Sequence, residues 1–317
     1  MDALVNVKNL SKSFGELTVL ENLNFEISDG ESFGILGPAG SGKTTLINSL
    51  AGILKPTSGS VTVSGVNLYG INSSKGRQII SLVPQTLALY EDFTAFDNLR
   101  FFGKFTQVKP ARLKELTLEA LDLFELTPEA HIPIGKLPYS YSKRLSVAVS
   151  MLSDPRIILL ESPTEGLDDR SARIITDGLN LLSNRGKTVV IATTYTREIT
   201  SVCRKVGIMH KGTLLALDYL ENILNCFGEQ NQIELEADGL ENIPTDVIRK
   251  QLFCSVPIES LEKFGSTLLI KLESTTEVLS IILEALGDSG IPVKIIRLSE
   301  GSLENVFYKL AGRELRD

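Results

Sequence analysis

Gly37-Pro38-Ala39-Gly40-Ser41-Gly42-Lys43-Thr44-Thr45 matches the phosphate-binding pattern G-x-x-x-x-G-K-[ST]. Glycines at these positions let the backbone curl until several N–H groups converge on one anion, and the following helix adds the partial positive charge of its N-terminus. Lys43 is placed to reach the β- and γ-phosphates, and the Thr44 hydroxyl to ligate Mg²⁺. The flanks suit this chemistry. Ser32-Phe33-Gly34-Ile35-Leu36 reads as a short buried strand, and Leu46-Ile47-Asn48-Ser49-Leu50 opens an apolar-periodic helix. Strand, glycine loop and helix together predict a site for ATP or a related nucleoside triphosphate with Mg²⁺.

The elements that must hold this loop follow from periodicity. Leu4–Leu10 and Leu23–Ile27 alternate like strands, with Ser11–Gly15 as a turn between them. Phe14 in that turn is either a core residue, which its spacing favours, or a platform for a purine ring. Ser60–Val63 and Ile79–Val83 are further strands, the latter running into Pro84-Gln85. Residues 86–153 read as mostly helical, with apolar spacing at Leu113, Leu116, Leu118, Leu121 and Phe124. Ile157–Leu160 is a continuous apolar run, as a parallel strand covered on both faces requires, and Val189–Ala192 repeats it after a helix. Strands alternating with helices predict an α/β fold around a parallel sheet.

Composition narrows the setting. A chain of 317 residues, 43% hydrophobic and 22% charged, has the make-up of a globular protein of about two domains. A net charge of −7 without a Lys/Arg cluster argues against nucleic acid as a partner. Met1–Asn6 has no basic start or long apolar run, and nowhere do enough apolar residues run together to span a bilayer. Cys203, Cys226 and Cys254 lack metal-ligand spacing and read as free thiols in a reducing cytoplasm.

The order of motifs resembles the nucleotide-binding subunit of an ABC transporter over residues 1–228, with a helical subdomain at about 86–153. Phe14 stands where that family has an adenine-stacking aromatic. The phosphate loop, Gln85, a signature region Leu137–Arg144, the stretch Ile157–Asp168 and a switch region Ala192–Tyr195 follow in the family's order. The resemblance implies Phe14 and residues 37–45 at the nucleotide, with Thr44, Gln85 and Glu161 around Mg²⁺. It implies Ser140 and Asp168 at the subunit contact, where each ATP sits between one subunit's loop and the other's signature.

Three departures from that pattern bear on chemistry. The family's general base is a glutamate just before Pro-Thr, and here that position is Ser162. Glu161 replaces the metal-orienting aspartate one residue earlier. At the switch position the family has a histidine, and this chain has Thr194, which can hydrogen-bond a phosphate but is no imidazole. The only histidines, His131 and His210, read as structural or surface residues. In the signature, an ungapped register from Arg144 gives Leu137-Pro138-Tyr139-Ser140 where the family has Leu-Ser-Gly-Gly, and a register shifted by a two-residue deletion lets Ser140-Tyr141-Ser142 partly substitute. Proline offers no N–H, and tyrosine fills space that glycine leaves open.

Residues 229–317 form a second, smaller unit of α+β type. Gln232–Ala237, Thr267–Leu272 and Val293–Leu298 read as strands, Thr276–Leu286 as a helix, and Ser302 as the cap of a last helix. The tail is similar to that of drug-resistance and antibiotic-exporting ATPase subunits, whose permease is a separate chain. An accessory role in dimerisation or regulation is the expectation.

Taken together, these features imply a cytoplasmic subunit, peripheral on the inner face of the membrane. It would pair with itself or another such ATPase and with an integral-membrane permease, keeping ATP binding while hydrolysis is slow or absent. The competing expectation is an ATP-gated regulator or scaffold with no transport role.

Overall fold

Ser32–Leu36 (β3) has all five of its residues buried, and the architecture of the first part of the chain follows from that. A strand covered on both faces needs parallel neighbours and helical cover. It pairs in parallel with Thr188–Thr193 (β8) on one side and Lys205–His210 (β9) on the other. Ile157–Glu161 (β7) and Ile80–Val83 (β6) extend the sheet beyond β8, and Thr213–Tyr219 (β10) closes the far edge as an antiparallel strand. The order is β10-β9-β3-β8-β7-β6. The structure is a computed structural model that describes residues 3–227, 231–237, 240, 258–272, 279, 282, 283, 293–299 and 302–312. Those residues form two compact units, one running to Leu220 and one from Glu221 to Gly312.

The early strands depart from the expectation of a single parallel sheet. Ala3–Phe14 (β1), Leu17–Ser28 (β2), Ser58–Val63 (β4) and Val66–Asn67 (β5) form a separate antiparallel sheet in the order β2-β1-β4-β5. Its inner residues Val5, Val7, Leu10, Leu23 and Ile27 join Ile35, Ile47, Ile157 and Val190 in one core. Phe25 and Phe33 stack within it, ring centroids 5.5 Å apart. β1 also runs through the expected turn to Phe14, leaving Gly15 and Glu16 to make the reversal.

Helices Lys43–Leu50 (α1), Asp169–Asn184 (α6) and Thr196–Val202 (α7) accompany the parallel sheet, with the short Ser73–Arg77 (α2) near β5. Asp168 caps α6, its carboxylate accepting the Ser171 N–H at 2.9 Å, which satisfies one of the helix's unpaired first-turn donors. Between β6 and β7 the chain makes Ala95–Gly103 (α3), Pro110–Leu123 (α4) and Tyr139–Ser150 (α5). On α4 and its C-terminus, Leu116, Leu121 and Phe124 are buried as their spacing predicts, whereas Leu118 faces solvent. Lys205–Tyr219 supplies two strands that the apolar pattern did not single out.

In the second unit, entered through Leu220–Phe227 (α8), Asn231–Ala237 (β11) lies between Thr267–Leu272 (β13) and Val293–Ser299 (β14), with Ile258–Phe264 (β12) beyond β13. All pairs are antiparallel. Ile233, Leu235, Leu268 and Ile270 form its core. Ser302 caps Leu303–Ala311 (α9) by accepting the Asn305 N–H at 3.2 Å. The expected helix Thr276–Leu286 lies mostly outside the described residues.

Candidate nucleotide site

Ligands of parallel sheets sit beyond the carboxyl ends of the strands. Here the loops leaving β3, β7 and β8, with Gln85 shortly after β6, meet around one cleft of about 520 Å³. Ala39, Gly40, Gly42, Lys43, Thr44, Thr45, Gln85, Glu161, Ser162, Glu165 and Thr194 all line it.

The loop from β3 is anchored at both ends. Gly37 donates its N–H to Thr193 O at 3.2 Å, Ser41 N–H returns to Pro38 O at 3.2 Å, and Ser41 O accepts from Gly212 N–H at 3.0 Å. Gly42, the N-cap of α1, has φ 99°, and a Cβ there would lie 2.7 Å from Leu20 Cδ2 and 2.9 Å from Val19 O. Only glycine fits both conditions. The Lys43 ammonium lies 2.8 Å from both Gly37 O and Pro38 O, bent over its own loop. Burial brings its pKa down to about 8, with the Glu161 carboxylate opposing that shift.

Whether these residues suit Mg-ATP is testable on the atoms themselves. Glu161, which lines the cleft, has its Oε1 buried with no hydrogen-bond partner, and so does the Ser41 hydroxyl in the phosphate loop. An orphaned carboxylate oxygen in a cleft that also holds the Thr44 hydroxyl and the Gln85 side chain offers the hard oxygen donors a magnesium ion takes, the remaining ligands coming from phosphate and water. Among the described residues no cluster of three His, Cys, Asp or Glu could hold a metal ion. Thr44, Glu161 and Gln85 are the residues that would hold it, and it would neutralise phosphate charge.

Two of the three departures from the family pattern lie at the cleft. Ser162 and Thr194 both line the cleft. Ser162 has a left-handed backbone, φ 41°, and gives its N–H to Ala192 O at 2.9 Å. Its short hydroxyl leaves that position without a carboxylate. Pro138 is the N-cap of α5, so Tyr139 and Ser140 form the helix's first turn with no side-chain cap. The Tyr139 ring stands beside the loop glycine Gly166, outside the cleft lining, as do Ser140 and Asp168.

Phe14 is 49% exposed, which removes the core reading that its spacing favoured. The Gly15 turn carries it outward, where Lys12 Nζ lies 5.0 Å over the ring. It does not line the cleft; Val19 does.

Sequence reasoning missed three residues. Glu165 lines the cleft and accepts from Gln85 Nε2 at 2.7 Å. Lys143, on α5, is fully buried and donates to Gln85 O at 3.1 Å. Burial lowers its pKa, and Glu165, Glu198 and Glu161 oppose that, in that order. Glu198, on α7, is also buried and takes the Thr164 N–H at 2.6 Å and the Thr164 hydroxyl at 2.5 Å. The signal for Glu165 was present, an acid directly after Pro163-Thr164. Lys143 and Glu198 gave none, since charged residues on helices usually face water.

Fold and cleft together define a P-loop nucleotide-binding protein. A family model described as ABC transporter matches residues 20–165. The linearmycin resistance ATP-binding protein LnrL of Bacillus subtilis (strain 168) is 29% identical over 99% of this chain and 100% of that protein. The Nod factor export ATP-binding protein I of Rhizobium sp. (strain N33) is 30% identical over 98% of each. The dimeric post-hydrolysis state of the ATP-binding cassette MJ0796, bound to ADP and Pi, aligns with a TM-score of 0.61 at 28% identity, covering 68% of this chain and 98% of that one. The fold is also that of cbiO1 from Clostridium perfringens, part of the ABC transporter complex cbiONQ, with a TM-score of 0.65 at 23% identity over 80% of this chain and 96% of that one. The chain belongs to the ABC transporter ATP-binding family.

Proposed function

We propose that this chain is the ATP-binding subunit of an exporter. It binds Mg-ATP, pairs with itself or a related ATPase subunit, and drives a separate integral-membrane permease from the inner face of the cell membrane. Hydrolysis is slow or absent. One observation carries this reading: the cleft keeps its phosphate loop, Lys43 and the orphaned Glu161 oxygen, while Ser162 stands at the base position and Thr194 at the switch position. A general base contributes roughly 10²–10⁴-fold in rate, or about 3–5 kcal/mol of barrier at about 1.4 kcal/mol per tenfold. Binding needs none of that.

The export direction is supported by relatives named for export and resistance that match along their whole length. The permease contact is supported by an aromatic surface that follows Gln85 in the chain. Tyr90, Phe93 and Phe105 are exposed there and, with Phe101 and Phe102, form a network of ring contacts. Residues 89–100 near this patch would receive a helix of the permease, and aromatic anchors suit such a contact. No helix among the described residues is long and apolar enough to cross a membrane, so the path itself is assigned to another chain.

The test is ATP turnover measured beside Mg-ATP binding, on wild type and on Ser162→Glu combined with Thr194→His. The expected result is firm binding with turnover at least about 100-fold below the substituted protein. Wild-type turnover equal to or above that of the double variant would overturn the loss-of-hydrolysis reading.

A further inference from the structure

Lys143 is a charged residue in a place that chemistry usually reserves for apolar ones. It lies about one turn into α5, and its side chain is fully buried. Burying an ammonium is costly, and methionine or leucine would fill the same space without that cost. A charge kept there has something to hold.

Its Nζ donates to Gln85 O at 3.1 Å. Gln85 lies in the connection between β6, which ends at Val83, and α3, which begins at Ala95. No strand or helix fixes its direction, so its anchors must come from elsewhere. There are two, from two different elements. Lys143 of α5 holds the carbonyl, and Glu165, in the loop after β7, accepts from Nε2 at 2.7 Å. Either anchor alone would leave the residue free to pivot; together they fix its main chain and its side chain. The ammonium also draws the acids of this region, Glu165 most, then Glu198 and Glu161. Gln85, Glu165 and Glu161 line the cleft, whereas Lys143 stands behind them and does not.

We propose that Lys143 is a positioning residue for the nucleotide cleft: by holding the Gln85 carbonyl it sets the direction in which the Gln85 side chain meets Glu165 and the cleft. This inference rests on the Mg-ATP reading above, in which Gln85 is among the residues that would hold the magnesium ion. Loss of Lys143 should then weaken nucleotide binding with Mg²⁺ and spare binding without it. The phosphate loop is anchored separately, on Thr193 O and Gly212 N–H.

The test uses the full chain with Lys143→Met, Lys143→Leu and Lys143→Arg. Affinity for a fluorescent, non-hydrolysable ATP analogue is measured with Mg²⁺ and again with EDTA, beside thermal unfolding. The Mg²⁺ enhancement, the ratio of the two affinities, is expected to fall about 10–100-fold or to unity in Lys143→Met. Affinity in EDTA stays within about threefold of wild type. Lys143→Leu repeats the loss and decides the question if methionine does not fold. Lys143→Arg keeps donor and charge and retains part of the enhancement. Wild-type enhancement in the apolar variants, or affinity lost equally with Mg²⁺ and EDTA, would overturn the assignment, since a merely structural lysine gives one or the other. So would a stably folded Lys143→Arg no better than Lys143→Met.

The two readings fail separately. Wild type that binds the analogue equally with Mg²⁺ and EDTA overturns the Mg-ATP reading, and proteolysis of the nucleotide-free chain then decides this inference alone. Cleavage within residues 84–90 should rise in Lys143→Met and return toward wild type in Lys143→Arg, with other sites unchanged. Cleavage there equal to wild type, or raised throughout the chain, overturns it.

Discussion

Glu198→Ala and Glu198→Gln separate two contributions of one buried carboxyl group. Glu198 Oε1 is the acceptor for both the N–H and the hydroxyl of Thr164, in the loop that carries Ser162 and Glu165. Alanine removes the acceptor. An unpaired N–H costs about 1–3 kcal/mol, and losing a hydrogen bond to a charged group costs about 1.5–3 kcal/mol. Relief of a buried charge offsets part of this. Burial raises the Glu198 pKa, with hydrogen bonds from Thr164 and Thr193 opposing the shift. A raised carboxyl pKa means that the stability this group contributes is fully present below its unfolded value of 4.5 and is lost as pH rises through the folded value. Near neutral pH the ionised form is therefore the costly one, and alanine's net loss falls to about 2–4 kcal/mol. Glutamine keeps the acceptor and discards the charge, so it lies within about 1 kcal/mol of wild type. At about 2–4 °C per kcal/mol for a unit of this size, alanine lowers the melting temperature of the nucleotide-binding unit by roughly 4–16 °C. Thermal unfolding followed by circular dichroism, with Mg-ATP binding on the same samples, reads the difference. If glutamine destabilises as much as alanine, charge rather than the acceptor holds the loop, and the reasoning is refuted.

Other perturbations test separate parts of the structure. The Tyr69 hydroxyl lies 2.7 Å from both Ser49 O and Leu54 O, and burial raises its pKa from 10.0 to about 12. Its contribution is present below pH 10 and is lost as pH rises toward 12, so the stability gap between wild type and Tyr69→Phe should narrow across that window in denaturant titrations. A constant gap would mean that the hydroxyl is not held in this way. Cys203 is buried and its thiol pKa is pushed up by desolvation, whereas Cys226 is exposed. Maleimide labelling of the folded protein, mapped by mass spectrometry, should modify Cys226 and spare Cys203. Equal labelling would contradict the packing of α7 on the sheet.

What could be read from the sequence was what local chemistry fixes. The phosphate loop was legible because its glycines, lysine and threonine act within nine consecutive residues, between a strand and a helix whose patterns are also local. Partner choice among strands was not. Val5, Val7 and Leu10 alternate in the same way whether their strand joins a parallel or an antiparallel sheet, and only contact with Val61 and Val63, far along the chain, decides it. Phe14 misled for a related reason: apolar spacing implied the core, but the Gly15 turn points the ring outward.

Glu165 shows where reading by motif position stops. Family register directs attention to residue 162, and a serine there reads as loss. Yet position in sequence and position in space part company at a single left-handed residue. The φ of 41° at Ser162 folds the chain so that an acid three places on enters the cleft, and no side-chain pattern announces that dihedral. Lys143 compounds the point. A lysine on an amphipathic helix reads as a solvated residue, but here it is fully buried beneath Gln85 and coupled to Glu165. A charge with no access to water is tolerated where other charges answer it, and the acids that oppose its neutralisation are those around the cleft. The buried lysine and the cleft acids therefore belong to one electrostatic arrangement, and their effects on Mg-ATP binding should be non-additive when they are varied together.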